Sequence, residues 1–411
     1  MTIASRAWLV WSLGALSFSY AFFQRVAPSV MLVDLMRDFA VGATVLGNLS
    51  AIYLYAYAGL QMPIGLALDR WGARRMLTGA ALVAAIGSAA FAAAQGVALA
   101  YLGRLLVGVG CAVGFVGALK LATHWFPANR FAFVSGMTRM VAMLGAVAGQ
   151  APLAAVVGAV GWRAAMLDAA GFAALLAAAS WAIIRDRPPG DDLVRQSAPI
   201  SLRRSLARVM AGRQNWILAL YGGAMTAPFL AYAGLWGVMH QMRLYDLDRI
   251  AAAGSNSLML VGWAVGAPAG GWLSDKLGRR RMPMTAAAIL SLAGWLVLLY
   301  TPALPLMADR ILLFLIGASS GAMVICIAAA RERSSAAVSG AVTGFINTAM
   351  VGSGALMQPV IGLLLDANWN GAMRDGARFY STAAFDAALV TLPGCAAVAI
   401  AASLLVPAKN N

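Results

Sequence analysis

Basic side chains inside apolar stretches are the residues of this sequence with the clearest capacity for chemistry. Arg25, Lys120 and Arg139 each lie within a long hydrophobic run, where acidic residues are scarce. A charged side chain in a membrane span costs at least about 2.5–3.5 kcal/mol on insertion scales, so its presence requires a structural or functional reason. Because guanidinium and ammonium groups bind carboxylates through charge-assisted hydrogen bonds, cations without acidic partners favour an anionic ligand.

Polar and aromatic residues accompany these cations at helical spacing. Residues three or four positions apart lie on one face of a helix, so they can share a face with a cation or line a neighbouring one. The predicted ligand-binding residues are Arg25, Arg139, Lys120, Tyr20, Gln24, Tyr57, Gln61, Tyr232, Trp236 and Asn347. The alternative is structural: the cations would pair with helix C-termini or backbone carbonyls, and the aromatic stripe around Tyr232 would be packing.

Transmembrane helices are the elements that must position these residues. The chain has 411 residues, of which 62% are hydrophobic and 11% charged, whereas a soluble protein is about 25% charged. A membrane helix needs about 20 apolar residues, so the chain holds roughly a dozen spans. A β-barrel is excluded because stretches such as 82–94 are apolar on every side instead of alternating.

The predicted fold class is an all-α integral membrane protein with twelve transmembrane helices in two pseudo-symmetric six-helix bundles. The twelve predicted segments are Ala7–Leu32, Val45–Leu68, Met76–Ala94, Ala98–Leu121, Phe131–Val157, Ala164–Ile184, Trp216–Met239, Ser257–Leu273, Met282–Tyr300, Ile311–Ala330, Val338–Leu365 and Ala383–Val406. The only long polar stretch lies between the sixth and seventh segments. We therefore predict an N-terminal bundle over 1–184, a cytoplasmic linker over 185–214 and a C-terminal bundle over 215–411.

The distribution of basic residues predicts the orientation. If the N-terminus is cytoplasmic, 19 lysines and arginines face the cytoplasm and 6 face the other side. An excess of basic residues in cytoplasmic loops is the usual topology signal of membrane proteins, so both termini are predicted to be cytoplasmic and the chain to cross the inner membrane many times. The same pattern explains the net charge of +15 without a nucleic-acid partner.

An internal repeat is the strongest signal in the sequence. Residues 65–77 read GLALDRWGARRML, and residues 271–283 read GWLSDKLGRRRMP. The matching pairs Gly65/Gly271, Asp69/Asp275, Gly72/Gly278 and Arg74/Arg280 share an offset of 206 residues, as do Arg104 and Arg310. A repeat at one fixed offset predicts two halves that arose by gene duplication.

These loops resemble the signature of the major facilitator superfamily, Gly-x-Leu-x-Asp-Arg-x-Gly-Arg-Arg. The C-terminal copy matches with Lys276 as the basic residue at the arginine position, and the N-terminal copy departs at Ala67 and Ala73. A second family signature, Arg-x-x-x-Gly-x-Gly, appears as Arg104, Gly108 and Gly110.

The resemblance covers the whole chain and implies roles for the matching residues. It implies gating by the two loops, through Gly65, Asp69, Arg70, Gly72, Arg74, Gly271, Asp275, Lys276, Gly278 and Arg280, and a scaffold role for Arg104 and Arg310. It also places Arg25, Lys120 and Arg139 on helices that surround a central cavity. From the residues alone, each loop aspartate can pair with loop arginines or cap the next helix.

Catalytic and metal motifs are missing from the sequence. It contains no G-x-x-x-x-G-K-[ST] motif and no HExxH motif, and its three cysteines lack metal or disulfide spacing. We therefore predict no enzyme activity, no cofactor and no metal.

The predicted function is that of a secondary transporter, a monomer in the lipid bilayer, which moves a small carboxylate-bearing metabolite by alternating access. One alternative is proton-coupled efflux of hydrophobic compounds, favoured if aromatic residues of the seventh helix dominate the cavity. Another is a non-transporting membrane sensor on the same fold. Without an acidic residue on the cavity helices, a coupling proton has no visible binding site, which favours anion exchange or a proton carried by the substrate.

Overall fold

The computed structural model describes residues 3–188, 207, 209–301, 304–334 and 339–407. The chain forms two compact units, which comprise 1–27 with 52–198 and 28–51 with 199–411. The predicted bundle boundaries at 184 and 215 remain a prediction, and most of the predicted linker 185–214 lies outside the described residues.

The described residues of the first unit form helices. Its helices are α1 (Ile3–Val26), most of α3 (Ala43–Ala92), α4 (Val97–Cys111), α5 (Gly114–Trp125), α6 (Phe131–Ala148) and α7 (Ala151–Ile183). Helix α1 packs against α5 and α6, which brings the helix that carries Arg25 beside the helix that carries Arg139.

The second unit contains the remaining helices and a small hairpin. Its elements are α2 (Leu32–Phe39), the start of α3, α8 (Arg213–Ala231), a π-helix (Tyr232–Trp236), α9 (Gly237–Tyr245), α10 (Arg249–Leu277), α11 (Arg281–Tyr300), α12 (Leu306–Gly321), α13 (Val324–Glu332), α14 (Ser339–Ala367), β1 (Met373–Arg374), β2 (Ala377–Arg378), α15 (Thr382–Leu389) and α16 (Thr391–Leu404). The two strands are antiparallel, with Met373 opposite Arg378.

Carboxylate contacts explain why residues 28–51 pack with the second unit. Asp366, at the end of α14, accepts hydrogen bonds from the backbone N–H groups of Ala43 and Thr44 at 3.1 and 2.8 Å. The Tyr380 hydroxyl and a guanidinium nitrogen of Arg378 also donate to Asp366. One carboxylate thus satisfies free N–H groups at the start of α3, a position where negative charge is favoured.

Helix lengths confirm the predicted membrane fold. Among the described residues, nine helices are long and apolar enough to cross a membrane, and a tenth if the bent pair Leu32–Phe39 and Ala43–Gln61 counts as one span. The stretch Phe133–Ile183 has 51 residues, which at the helical rise is about 77 Å and more than twice the thickness of a bilayer core. It therefore holds two spans, and every one of the twelve predicted segments corresponds to a helix.

Glycines with positive φ separate two pairs of spans that otherwise run on as one helix. Gly72 interrupts α3 at φ 78° and ψ 161°, and Gly161 interrupts α7 at φ 83° and ψ 160°. This backbone conformation favours glycine because a Cβ would clash in it. The break at Gly72 falls inside the loop motif, as a tight turn there requires.

The second signature glycines pack helices closely. A Cβ atom on Gly108 would lie 2.6 Å from the backbone oxygen of Tyr53, and one on Gly110 would collide with the backbone at Ala80. These glycines therefore permit close contact between α4 and α3. The contact also brings Arg104 of α4 against the ring of Tyr53, with its Cζ atom 4.9 Å from the ring centroid.

Candidate functional site

Arg25 lies in the last turn of α1 and is held between aromatic rings. Its Cζ atom lies 4.5 Å from the centroid of Phe22 and 4.9 Å from the centroid of Tyr57. The side chain is half-buried, and its Nε atom is buried without a hydrogen-bond partner among the described residues. The aromatic faces stabilise the positive charge while the N–H edge of the guanidinium keeps bonding capacity for a ligand.

Arg139 on α6 interacts electrostatically with the same tyrosine. Its charge interacts with the Tyr57 hydroxyl, as does that of Arg25, and its Cζ atom lies 5.1 Å from the centroid of Phe115. Within the described part of the chain, neither arginine forms an ion pair with a carboxylate. We call Arg25 and Arg139, which both interact with Tyr57, the arginine pair.

Unsatisfied hydrogen-bonding groups lie on the same helices as the arginine pair. Gln61, one turn after Tyr57, interacts with the tyrosine hydroxyl, and its Nε2 atom is buried without a described partner. Ser135, one turn before Arg139, has a buried hydroxyl oxygen without one. Since buried polar groups are normally hydrogen-bonded, donors left open beside two cations are what an anion-binding site requires.

Lys120 has an acidic partner, which corrects the sequence-based expectation that it is an unpaired cation. Its Nζ atom lies 2.7 Å from Oδ1 of Asp69 and 2.7 Å from the backbone oxygen of Leu68. The end of the second span is folded against α5 here, so the loop aspartate neutralises the ammonium group. Lys120 is therefore not part of the arginine pair.

Tyr20 and Gln24 point into the interior of the first unit instead of joining the arginine pair. The Tyr20 hydroxyl is 2.8 Å from Oγ of Ser88, and Nε2 of Gln24 donates to the Tyr20 hydroxyl at 2.7 Å. Arg104, which is also buried, donates from Nη1 to the backbone oxygen of Gln24 at 3.0 Å. These contacts tie α1 to α3 and α4, as a structural network does.

The remaining predicted ligand residues lie in the second unit. Tyr232 and Trp236 are fully buried in the π-helix; Nε1 of Trp236 donates to the backbone oxygen of Gln358 at 3.0 Å, and Tyr232 packs on Trp295. Asn347 is half-buried on α14. Buried contacts of this kind fit the packing alternative for the aromatic stripe.

The N-terminal loop motif is held by the end of α7. The backbone N–H of Arg74 donates to Oδ1 of Asp186 at 2.9 Å, and its Nε donates to the backbone oxygen of Trp181 at 2.9 Å. A Cβ atom on Gly72 would lie only 2.6 Å from Oδ2 of Asp186. In this copy the motif aspartate Asp69 pairs with Lys120 and not with a loop arginine.

The C-terminal copy forms the carboxylate–arginine contact that the sequence allows. Nη1 of Arg280 lies 2.6 Å from Oδ1 of Asp275, and Nη2 pairs with Glu332 at the end of α13. The hydrogen bond to Glu332 is the main cause that raises the pKa of the Arg280 guanidinium above its ordinary value. Gly278 ends α10 with φ 62°. The gating role of both loops stays a prediction.

Some residues of the site could not be assigned from the sequence. The position of Phe22, three residues before Arg25, places it on the same helix face as that arginine. Nothing in the sequence links Phe115 on α5 to Arg139 on α6. Ser135 shares a helix face with Arg139 at the expected spacing of four residues. The scaffold arginine Arg310 donates from Nε to the hydroxyl of Ser255 at 3.0 Å, a contact between helices that spacing does not reveal.

The fold and the repeated loops define a multi-pass membrane protein of the transporter class. The family profile described as Major Facilitator Superfamily matches residues 13–359. The chain therefore belongs to the Major Facilitator Superfamily, as its loop motifs predict.

Named relatives are transporters and not enzymes. A probable sulfoacetate transporter, SauU, of Cupriavidus necator is 24% identical over 310 residues, which cover 69% of this chain and 70% of the relative. A putative tartrate transporter of Agrobacterium vitis is 24% identical over 299 residues, which cover 68% of this chain and 66% of the relative. The matches to curated relatives cover between 24% and 70% of the relative's length.

A solved structure shares the fold. It is a bacterial homologue of the human lysosomal transporter Spinster in an inward-facing, unoccupied conformation, with a TM-score of 0.79 over 97% of both chains. The two sequences are 17% identical, so the likeness shows the fold alone. It confirms the predicted all-α architecture of two six-helix bundles.

Proposed function

We propose that this protein is a secondary transporter that moves a small organic anion across the membrane by alternating access, with the arginine pair as its anion-binding group. The observation that carries the proposal is that Arg25 and Arg139 both interact electrostatically with Tyr57, while neither forms an ion pair with a described carboxylate. Two positive charges that act on one side chain repel one another, and Arg25 also loses hydration by its partial burial, so an anion beside them reduces both costs.

Charge matching favours an anion with two acidic groups. Each guanidinium can form paired hydrogen bonds with one carboxylate or sulfonate, whereas a monoanion would leave one cation unbalanced. Sulfoacetate and tartrate, in the names of two relatives, each carry two anionic groups on a short carbon chain. We propose substrates of this class for this chain.

The surroundings of the arginine pair also favour a small ligand over a large one. Phe22, Tyr57 and Phe115 lie against the two guanidinium groups and occupy part of the space around them. Gln61 and Ser135 add uncharged hydrogen-bonding atoms without described partners. Such atoms suit hydroxyl or carboxylate oxygens of the ligand.

A second candidate function is efflux of hydrophobic cations, and an apolar groove in the first unit favours it. The groove lies between α1, α6 and α7 and is lined by apolar residues together with Tyr20, Phe172 and the carboxylate of Asp168. An exposed carboxylate in an apolar groove suits an aromatic cation. A third alternative, a non-transporting sensor, predicts ligand binding without transport.

The predicted topology and gating complete the proposal. Both termini are cytoplasmic, the protein works as a monomer in the inner membrane, and the two loop motifs stabilise one transport state. The contacts that support gating are those of Arg74 with Asp186 and of Arg280 with Asp275 and Glu332. These contacts join loop residues to helix ends, where a change of state can break them.

Transport assays with the purified protein in liposomes separate the three functions. Entry of labelled tartrate or sulfoacetate that saturates supports anion transport. Movement of ethidium without movement of either anion would support efflux of cations instead. Thermal stabilisation by tartrate with no flux of any of the three solutes would support the sensor.

A further inference from the structure

A buried polar cluster in the second unit has no part in the proposed anion site. Asp309 in the first turn of α12 and Gln241 in α9 are both fully buried. Nε2 of Gln241 lies 3.4 Å from Oδ1 of Asp309 and 3.2 Å from the hydroxyl oxygen of Tyr232. That hydroxyl lies 2.8 Å from Nδ1 of His240. We call Asp309, Gln241, Tyr232 and His240 the polar chain.

The π-helix brings two ends of the polar chain together. In a regular α-helix, residues eight apart are separated by about 80° around the axis, since each residue turns by about 100°. A π turn accommodates one extra residue and removes about 100° of that rotation. Tyr232 and His240 therefore come to within about 20° of the same face, which explains their hydrogen bond across two turns.

Two acceptor atoms of the polar chain are left without donors. Oδ2 of Asp309 and Oε1 of Gln241 are buried, and neither has a hydrogen-bond partner among the described residues. A buried unsatisfied polar atom costs about 1–3 kcal/mol. An ionised carboxylate only accepts hydrogen bonds, whereas a protonated one has an O–H donor. Protonation of Asp309 therefore adds a donor to a cluster that lacks one for these two acceptors, and it removes a buried negative charge.

The ionised form of Asp309 also has support from its surroundings. Negative charge is favoured in the first turn of a helix, and the charge of Arg310 interacts with the carboxylate. The other titratable groups that face it are Tyr232 and Tyr245, and His240 lies behind Tyr232. On the neighbouring helices, Ser255 of α10 binds Arg310 and Trp295 of α11 packs on Tyr232.

We propose that Asp309 binds and releases one proton during the transport cycle and so couples a proton gradient to anion movement. Binding forms one O–H bond on the carboxylate with a proton taken from water, breaks no other bond in the protein and lowers the negative charge by one. Gln241, Tyr232 and His240 are positioning residues that accommodate both forms. The coupling rests on the proposed anion transport, whereas the proton site itself does not.

Infrared difference spectroscopy tests the proton site without any substrate. On lowering the pH, wild-type protein in liposomes should gain carbonyl stretching bands of protonated carboxylic acids, and the spectrum of Asp309→Asn should lack the one component that belongs to the buried residue 309. Asp386→Asn, which removes another carboxyl group of the second unit, is the control and should keep that component. A component that persists unchanged in Asp309→Asn, or no such component in wild type, overturns the proposal.

A second variant protects the test against misfolding. If Asp309→Asn does not give a monodisperse protein, Asp309→Glu carries the measurement, because a glutamic acid absorbs at a different frequency. A displaced band supports the assignment to residue 309, and a band at the wild-type frequency overturns it.

Transport measurements test the coupling. If one proton moves with each anion, one pH unit should drive about tenfold accumulation of tartrate in wild type at zero membrane potential. Asp309→Asn should still exchange labelled for unlabelled tartrate but should accumulate none, and accumulation equal to wild type would overturn the coupling. If wild type exchanges neither tartrate nor sulfoacetate, the proposed substrate class fails, while the infrared result still decides the proton site.

Discussion

Removing one charge of the arginine pair should weaken anion binding by an amount that depends on which arginine is changed. The variants Arg25→Gln and Arg139→Gln keep polar side chains of moderate length but remove the positive charge. Arg25 is half-buried between two rings, whereas Arg139 is exposed. The same substitution should therefore have a larger effect at position 25.

The magnitudes follow from the burial of each side chain. A hydrogen bond to a charged group contributes about 1.5–3 kcal/mol, so Arg25→Gln should raise the apparent KM for tartrate by about 10- to 150-fold. A solvent-exposed charge pair contributes about 0.2–1 kcal/mol, so Arg139→Gln should raise it by no more than about fivefold. Arg25→Lys should lie between wild type and Arg25→Gln, because it keeps the charge and loses the planar fork.

Initial rates of labelled tartrate uptake into liposomes measure these effects. Arg163→Gln is the matched control, since its Cζ atom lies 4.4 Å from the ring centroid of Trp162 and it hydrogen-bonds to the backbone of Ala94. It removes an arginine stacked on an aromatic ring in the same unit without touching the pair. An Arg25→Gln variant that transports tartrate with unchanged apparent KM would refute the role of the pair.

Three further predictions concern the supporting contacts. Lys120→Gln should change the apparent KM for tartrate by less than about twofold and lower the free energy of unfolding by at most about 1 kcal/mol, because the partner Asp69 is 75% exposed. Uptake assays and denaturant unfolding measure these two effects. An increase in KM as large as that of Arg25→Gln would show that Lys120 belongs to the binding site. Gly72→Ala should destabilise the protein by at least about 1–2 kcal/mol, because Gly72 has a φ of 78° and the Asp186 carboxylate occupies the space that the new methyl group needs. The control is Gly278→Ala, where φ is 62° and the space is open, and it should lower the free energy of unfolding by less. Equal losses of unfolding free energy in the two variants would contradict the reasoning. Burial is the largest cause that raises the pKa of Tyr380 above its ordinary value of 10.0, and the hydrogen bond to Asp366 adds to it. Because the pKa is higher in the folded state, Tyr380 contributes stability at neutral pH, and this contribution is lost as the pH rises above about 10. In thermal unfolding, Tyr380→Phe should therefore lose less stability at high pH than wild type does, and identical pH profiles would contradict this.

The fold was predictable because it depends on properties that a sequence shows directly. Long apolar stretches require membrane helices, and two copies of one loop motif at a fixed offset require two related halves. The helix ends were less predictable, since the apolar content on both sides of Gly72 and Gly161 hides the breaks. Only the positive φ angles at these glycines mark them in the structure.

The candidate site was predictable only in part. Arg25, Arg139, Tyr57 and Gln61 share a polar region, but Tyr20 and Gln24 turn away to Ser88 and Arg104. In a span where every face is apolar, hydropathy does not show which face packs against another helix. The sequence therefore cannot separate residues near the arginine pair from residues such as Tyr20 and Gln24 that contact other helices.

Lys120 and Asp309 show the second limit. The partner of Lys120 is 51 residues away, a separation that no local pattern encodes. Hydropathy does not indicate Asp309, because the tenth predicted segment begins at Ile311 and therefore leaves this carboxylate in a loop. In the structure α12 begins at Leu306, and Asp309 is fully buried.

The most direct test of anion recognition by this transporter compares tartrate with threitol, which has the same four carbons and hydroxyl groups but two alcohols in place of the two carboxylates. Liposomes loaded with unlabelled tartrate should take up labelled tartrate by exchange, and external threitol in large excess should not slow this uptake. Threitol that competes as well as unlabelled tartrate would show that the carboxylates are not recognised and would contradict the role proposed for Arg25 and Arg139.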